Sequence, residues 1–109
     1  MAASYATGDA LMVQKPQLTK FEYDFLRVVQ QLGVGAYGDA ILALLIGEGY
    51  LGPSKADVYR KGLDLSRRDY LDKATRADTY ARMYFALTTK GKHVLRTERR
   101  IHYPPRRYR

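Results

Sequence analysis

Ser54, Lys55, Tyr59, Arg60, Lys61, Arg67 and Arg68 crowd into one run of the chain, SKADVYRKGLDLSRR, and each carries a hydrogen-bond donor. Donors of this kind pair with phosphate oxygens and with base edges. Lys or Arg can engage guanine O6 and N7, and a Ser hydroxyl can take either role. The same run places Val58, Gly62 and Leu65 at i, i+4 and i+7, an apolar seam on which one side of a helix can pack. Ser54, behind Pro53, stands where an N-cap belongs. The spacing predicts a helix over 54–68 with a basic flank, followed at once by a strand.

Two further groups of cations lie downstream. Arg76 falls at a predicted turn and Arg82 on the outward register of a predicted strand, where an arginine can follow a minor groove or the backbone. Residues 96–109 hold six arginines with Tyr103 and Tyr108 among them. Of these, Arg99, Arg100, Arg106, Arg107 and Arg109 are candidate contacts of a basic tail to backbone, minor groove or stacked single strands. A solvated surface is the alternative for any one of these side chains.

Catalysis finds little to work with. His93 and His102 are isolated, there is no cysteine, and no HExxH or CxxC spacing occurs, so no metal site is expected. Gly33-Val34-Gly35-Ala36 follows a predicted helix rather than a strand and lacks the lysine of a phosphate loop. We therefore expect no enzyme and no cofactor.

The charge balance points the same way. The 109 residues carry a net charge of +8, unevenly spread. Residues 1–54 hold three basic and five acidic residues, whereas residues 55–109 hold sixteen basic and six acidic ones. Such asymmetry calls for a polyanion on one half of the molecule. A membrane partner is not expected, because no basic face is matched by a broad apolar one and the longest apolar run, Ala40 to Ile46, is far short of a span. An apolar content of 46% indicates a folded chain. The length suits one domain. The N-terminal MAASYATGD has no signal-peptide pattern, and without cysteine a reducing cytoplasm is the natural setting.

The elements that must position these residues follow from periodicity. Residues 1–17 read as a flexible arm. Thr19 opens a capping-box pattern with Glu22, and Leu18, Phe21, Phe25, Val28 and Leu32 give a helical stripe closed by Gly33 and Gly35. A second helix is predicted from Ala36, with Ile41, Leu44 and Leu45 as its apolar side. After the basic helix come a strand over Tyr70–Ala74, a turn over Thr75–Asp78 and a strand over Thr79–Leu87 whose residues alternate. Thr88 or Thr89 then caps a last helix, KGKHVLRTERR, ended by Pro104 and Pro105. The fold class is α+β, mainly α. It is a winged helix-turn-helix with three helices, a two-stranded wing and a short C-terminal helix. The domain spans 18–99, with a basic tail over 100–109.

The run LTKFEYDFLRVVQQLGVGAYGDAILALL resembles the start of the PadR-like family of transcriptional regulators. Tyr37-Gly38 opens the second helix as in that family, and Ile41 and Leu45 stand at its apolar positions. Ser54, Val58-Tyr59 and Leu65 match its recognition helix, and MYFALTTKG, Met83 to Gly91, matches its closing strand and Leu-Thr-x-x-Gly turn. The likeness covers about residues 18–95. Gly62 departs from the family's leucine, at a cost in helix propensity of about 1 kcal/mol against alanine. Asp69 replaces the glycine that turns the chain into the wing. The long C-terminal helices through which members dimerise have no counterpart after the wing.

The resemblance implies a sequence-specific double-stranded DNA-binding regulator, a repressor, that reads the major groove with helix 54–68 and touches backbone or minor groove with the 75–82 wing. Paired half-sites imply a homodimer, for which the first helix's stripe and Val94, Leu95 and Ile101 are candidate surfaces. Related regulators answer to small apolar or phenolic effectors, but tyrosines at core positions read as core. The alternatives are a winged-helix protein-interaction module and an architectural protein that binds nucleic acid without regard to sequence.

Overall fold

The computed structural model describes residues 15–76 and 82–105. These are mainly helical, with one antiparallel pair of strands. Helix α1 spans Lys20–Leu32 and begins on a reciprocal cap: the Glu22 N–H donates to Thr19 Oγ1 at 3.1 Å, and the Thr19 N–H donates to Glu22 Oε1 at 3.0 Å. Its stripe of Phe25, Leu26, Val28 and Val29 forms the centre of the core. Gly33, at φ 60, ends it in a backbone region open to glycine, and a short 3₁₀ turn follows over Gly33–Gly35.

Helix α2, predicted from Ala36, starts at Gly38 and runs to Gly47. The difference has a physical cause, because Ala36 and Tyr37 serve the sheet. The Phe85 N–H donates to the Ala36 carbonyl at 3.0 Å, and Tyr37 bridges to Tyr84. Helix α3 follows over Lys55–Arg67. Ser54 Oγ accepts from the Asp57 N–H at 3.2 Å, and Asp57 Oδ2 accepts from the Ser54 N–H at 2.8 Å. Val58, Gly62 and Leu65 are buried, as their spacing predicts.

Asp69 has φ 69, a left-handed conformation that most L-residues avoid, and it turns the chain out of α3. Tyr70, expected to open the strand, instead donates its N–H to the Leu65 carbonyl at 3.0 Å and closes the helix. Strand β1 (Leu71–Arg76) then pairs with β2 (Arg82–Leu87) in a register from Leu71↔Leu87 to Arg76↔Arg82. Thr75 and Arg76, expected in the turn, are therefore ladder residues. The rest of that turn and the start of the second predicted strand at Thr79 lie outside the described residues.

Phe85 is wholly buried and its ring lies over Gly62, where any Cβ would collide with it. Glycine at position 62 thus has a local reason: the space of a side chain on α3 is filled from β2. Thr88 caps helix α4 (Thr89–Thr97), its Oγ1 accepting from the Gly91 N–H at 3.0 Å.

The last predicted helix is broken in two. Glu98 interrupts it, and α5 covers Arg99–His102. The Glu98 carboxylate turns inward, accepting the Gln17 N–H at 2.5 Å and the Leu18 N–H at 3.3 Å, with His102 Nε2 at 3.1 Å. Val94 and Leu95 are buried against the body and the α1 stripe is core, so these expected dimer surfaces are interior; of Val94, Leu95 and Ile101, only Ile101 stays exposed.

Candidate nucleic-acid interface

Helix α3 is locked in rotation about its axis by one buried carboxylate. Glu22 Oε2 accepts from Lys61 Nζ at 2.8 Å and from Arg68 Nη2 at 2.7 Å, and Arg68 also reaches Asp64 at 2.8 Å. Burial pushes the Glu22 carboxyl up, but the donors from Lys61, Thr19 and Arg68 outweigh it and hold it below its ordinary 4.5. Lys61 and Arg68 were expected to face a nucleic acid. They face α1 instead, because an unpaired buried carboxylate there would cost more than two exposed cations gain in solvent.

The opposite flank is held from α2. Tyr59 lies half-buried with its ring against Gly38, so close that a Cβ there would stand 2.6 Å from its Cζ. This explains the glycine at the start of α2. Lys55 Nζ lies 3.0 Å from Asp39 Oδ1, both side chains being more than half exposed.

With both flanks fixed, the outer ridge of α3 runs through Ala56, Arg60, Leu63 and Arg67, at i, i+4, i+7 and i+11; Ala56, Arg60 and Arg67 are exposed and Leu63 is half-buried. Ser54 is exposed at its N-terminal end. Arg60 Nη2 pairs with Asp57 Oδ1 at 2.5 Å in an open setting from which it can exchange partners. Of the residues expected on this helix, Ser54, Lys55, Arg60 and Arg67 share the accessible side, Tyr59 sits at its edge, and Lys61 and Arg68 lie behind it. Ala56 and Leu63 were missed, although counting seven residues on from Ala56 reaches Leu63. Their apolar groups suit a thymine methyl.

Arg76 and Arg82 are register partners at the open end of the described ladder. Arg99 and Arg100 are exposed on α5, away from the α3 ridge in sequence and element. Arg106, Arg107 and Arg109 lie outside the described residues. The start of the expected tail is held on the body: Tyr103 Oη donates to Asp24 Oδ1 at 2.5 Å, and Lys20 Nζ donates to Tyr103 Oη at 2.8 Å.

Among the described residues, no three His, Asp or Glu side chains are grouped to hold a metal ion. No described helix is long and apolar enough to cross a membrane.

No protein-family model matches the chain, and no curated protein matches it either. A solved structure similar to it is that of smu.1704 from Streptococcus mutans UA159, at a TM-score of 0.54 and 16% identity over 88% of this chain and 100% of that one. At that identity the likeness concerns the fold alone.

Proposed function

We propose that the protein is a winged-helix DNA-binding regulator, a repressor, which reads duplex DNA through the accessible ridge of α3 and contacts backbone or minor groove with the β1–β2 hairpin. The observation that carries this reading is the way α3 is held. One flank is pinned by Glu22 and the other by Gly38 and Asp39, so that a rigid ridge with Ser54 at its N-terminal end is presented outward. Recognition helices work in this manner, with base contacts from their N-terminal half and phosphate contacts around them. The bridge from Tyr37 to Tyr84 adds support, since it ties the link between α1 and α2 to the hairpin and makes one unit of helices and wing. The protein acts without catalysis or cofactor, and as a homodimer on paired half-sites.

A second reading has its own support. Lys55, Arg60, Lys61 and Arg68 all carry carboxylate partners, which weakens the field at α3 and favours an architectural binder that grips backbone elsewhere.

Fluorescence anisotropy with two duplexes separates the readings. One duplex carries the DNA upstream of the protein's own coding region, the other a scrambled version, over a salt series. A preference of about a thousandfold or more marks a sequence-specific regulator. Equal and steeply salt-dependent binding marks the architectural protein, and absence of binding to either marks an interaction module.

A further inference from the structure

We infer that the α4–α5 corner is a second phosphate-binding surface, which grips the backbone of duplex DNA independently of α3. Lys92, Arg96, Arg99 and Arg100 stand at i, i+4, i+7 and i+8 and line one open hollow of about 740 Å³, together with Arg27 and Tyr23. All four are exposed.

The lining holds five cations and no carboxylate. Arg27 is already engaged by Asp24 and Glu48. The other four have no ion pair among the described residues, in contrast to Lys20, Lys55, Arg60, Lys61 and Arg68. Among the described residues these four are a cluster of cations without ion pairs, whereas on α3 Arg67 alone is left without one.

Glu98 makes the arrangement. It is the one acid within residues 92–100, and it is buried on the far side, with its charge spent on the Gln17 and Leu18 N–H groups and on His102. The break at Glu98 then sets Arg99 and Arg100 beside Lys92 and Arg96 on one rim. The floor is firm. Tyr23 Oη donates to the Leu95 carbonyl at 3.0 Å, and the Tyr23 and His102 rings stack with centroids 4.8 Å apart.

Three of the four free cations are arginines, whose planar forks match phosphate oxygens in pairs. Four residues along a helix advance about 6 Å, a distance over which a duplex strand presents more than one phosphate. Among the described residues, exposed large apolar side chains beside the cations are Ile101 and Tyr103, less than an interfacial membrane helix presents.

The inference rests on the protein being a nucleic-acid binder, and not on which helix reads bases. The test compares the whole protein with a triple variant, Lys92→Gln, Arg96→Gln and Arg100→Gln, and with a charge-keeping Lys92→Arg, Arg96→Lys, Arg100→Lys control. The substituted side chains are exposed and carry no structural ion pair, and circular dichroism checks the fold. The expected result is a loss of tenfold or more in affinity, equal on the upstream and the scrambled duplex. The slope of log K against log salt falls by about 3 in magnitude, and the control retains binding. Unchanged affinity and slope in the glutamine variant would overturn the inference while leaving α3 as the reader. Loss of binding to phosphatidylglycerol vesicles with duplex binding intact would overturn it too, and assign the corner to lipid. Should the glutamine variant lose duplex binding where Arg60→Ala changes nothing and the two duplexes bind alike, the inference stands and the α3 reading falls.

Discussion

Asp24 illustrates how much a single side chain holds in place here. It is 1% exposed and accepts from Tyr50 Oη and Tyr103 Oη, both at 2.5 Å, as well as from Lys20 and Arg27. Burial pushes its carboxyl up, but Tyr103, Tyr50, Lys20 and Arg27 outweigh that and hold it below its ordinary 3.8. Burial and the Asp24 carboxylate together push the Tyr50 phenol well above its ordinary range. For both Asp24 and Glu22 the folded state binds the proton more weakly than the unfolded chain does. Their contribution to stability is therefore full above the ordinary carboxylate values and is lost as pH falls through the lower folded ones. Urea unfolding should show stability dropping from about pH 5 downward. Asp24→Asn should cost about 2 kcal/mol near neutrality and flatten that fall. A variant whose pH profile runs parallel to the parent's would refute this assignment.

At the scale of elements, α3 divides into a side that holds the fold and a side that is free. Lys61→Ala should lower stability by about 1–3 kcal/mol, because it leaves the buried Glu22 with one donor fewer. Arg60→Ala should leave the unfolding midpoint nearly unchanged and weaken DNA binding by about 1–3 kcal/mol. Thermal melts and anisotropy on the same two proteins check the division, and a reversed pattern would place the DNA-facing side of α3 at Lys61. The exit of α3 offers another check. Asp69 holds a left-handed backbone that costs most L-residues about 1–2 kcal/mol, so Asp69→Gly should raise the midpoint of thermal unfolding. A lower midpoint would mean that the Asp69 side chain stabilises the turn.

Much of this element scale was legible in the residues. The Thr19–Glu22 cap, the Ser54 cap, the buried seam of α3 and the Thr88 cap all follow from local chemistry. What was not legible depends on distant partners. Nothing near Lys61 or Arg68 in sequence announces Glu22, and the start of α2 moves because β2 claims Ala36 and Tyr37. Glu98 breaks the last helix to reach the N–H groups of Gln17 and Leu18, some eighty residues away. By contrast, the helical spacing of Lys92, Arg96, Arg99 and Arg100 stands within KGKHVLRTERR, which reads as a helix, but grouping Arg99 and Arg100 with the tail separates them from Lys92 and Arg96.

For the whole molecule, the described residues form a body with α1 at its centre. Glu98 ties the entry of α1 to the α4–α5 junction, and Tyr103 ties the chain beyond α5 to Asp24. Around that body stand two basic surfaces of different kinds, a sparse rigid ridge on α3 and a dense uncompensated rim on α4–α5. The first is suited to discrimination, the second to grip. Dimerisation would double both, and sedimentation at micromolar concentration should give the mass of two chains; the mass of one would remove the homodimer.

Contact between the α3 ridge and DNA can be read residue by residue from a titration of the ¹⁵N-labelled protein with duplex DNA followed by NMR. The amides of Lys55, Ala56, Arg60 and Leu63 should shift in concert with complex formation, together with those of the α4–α5 rim. A complex that forms with the α3 amides unmoved would contradict that contact.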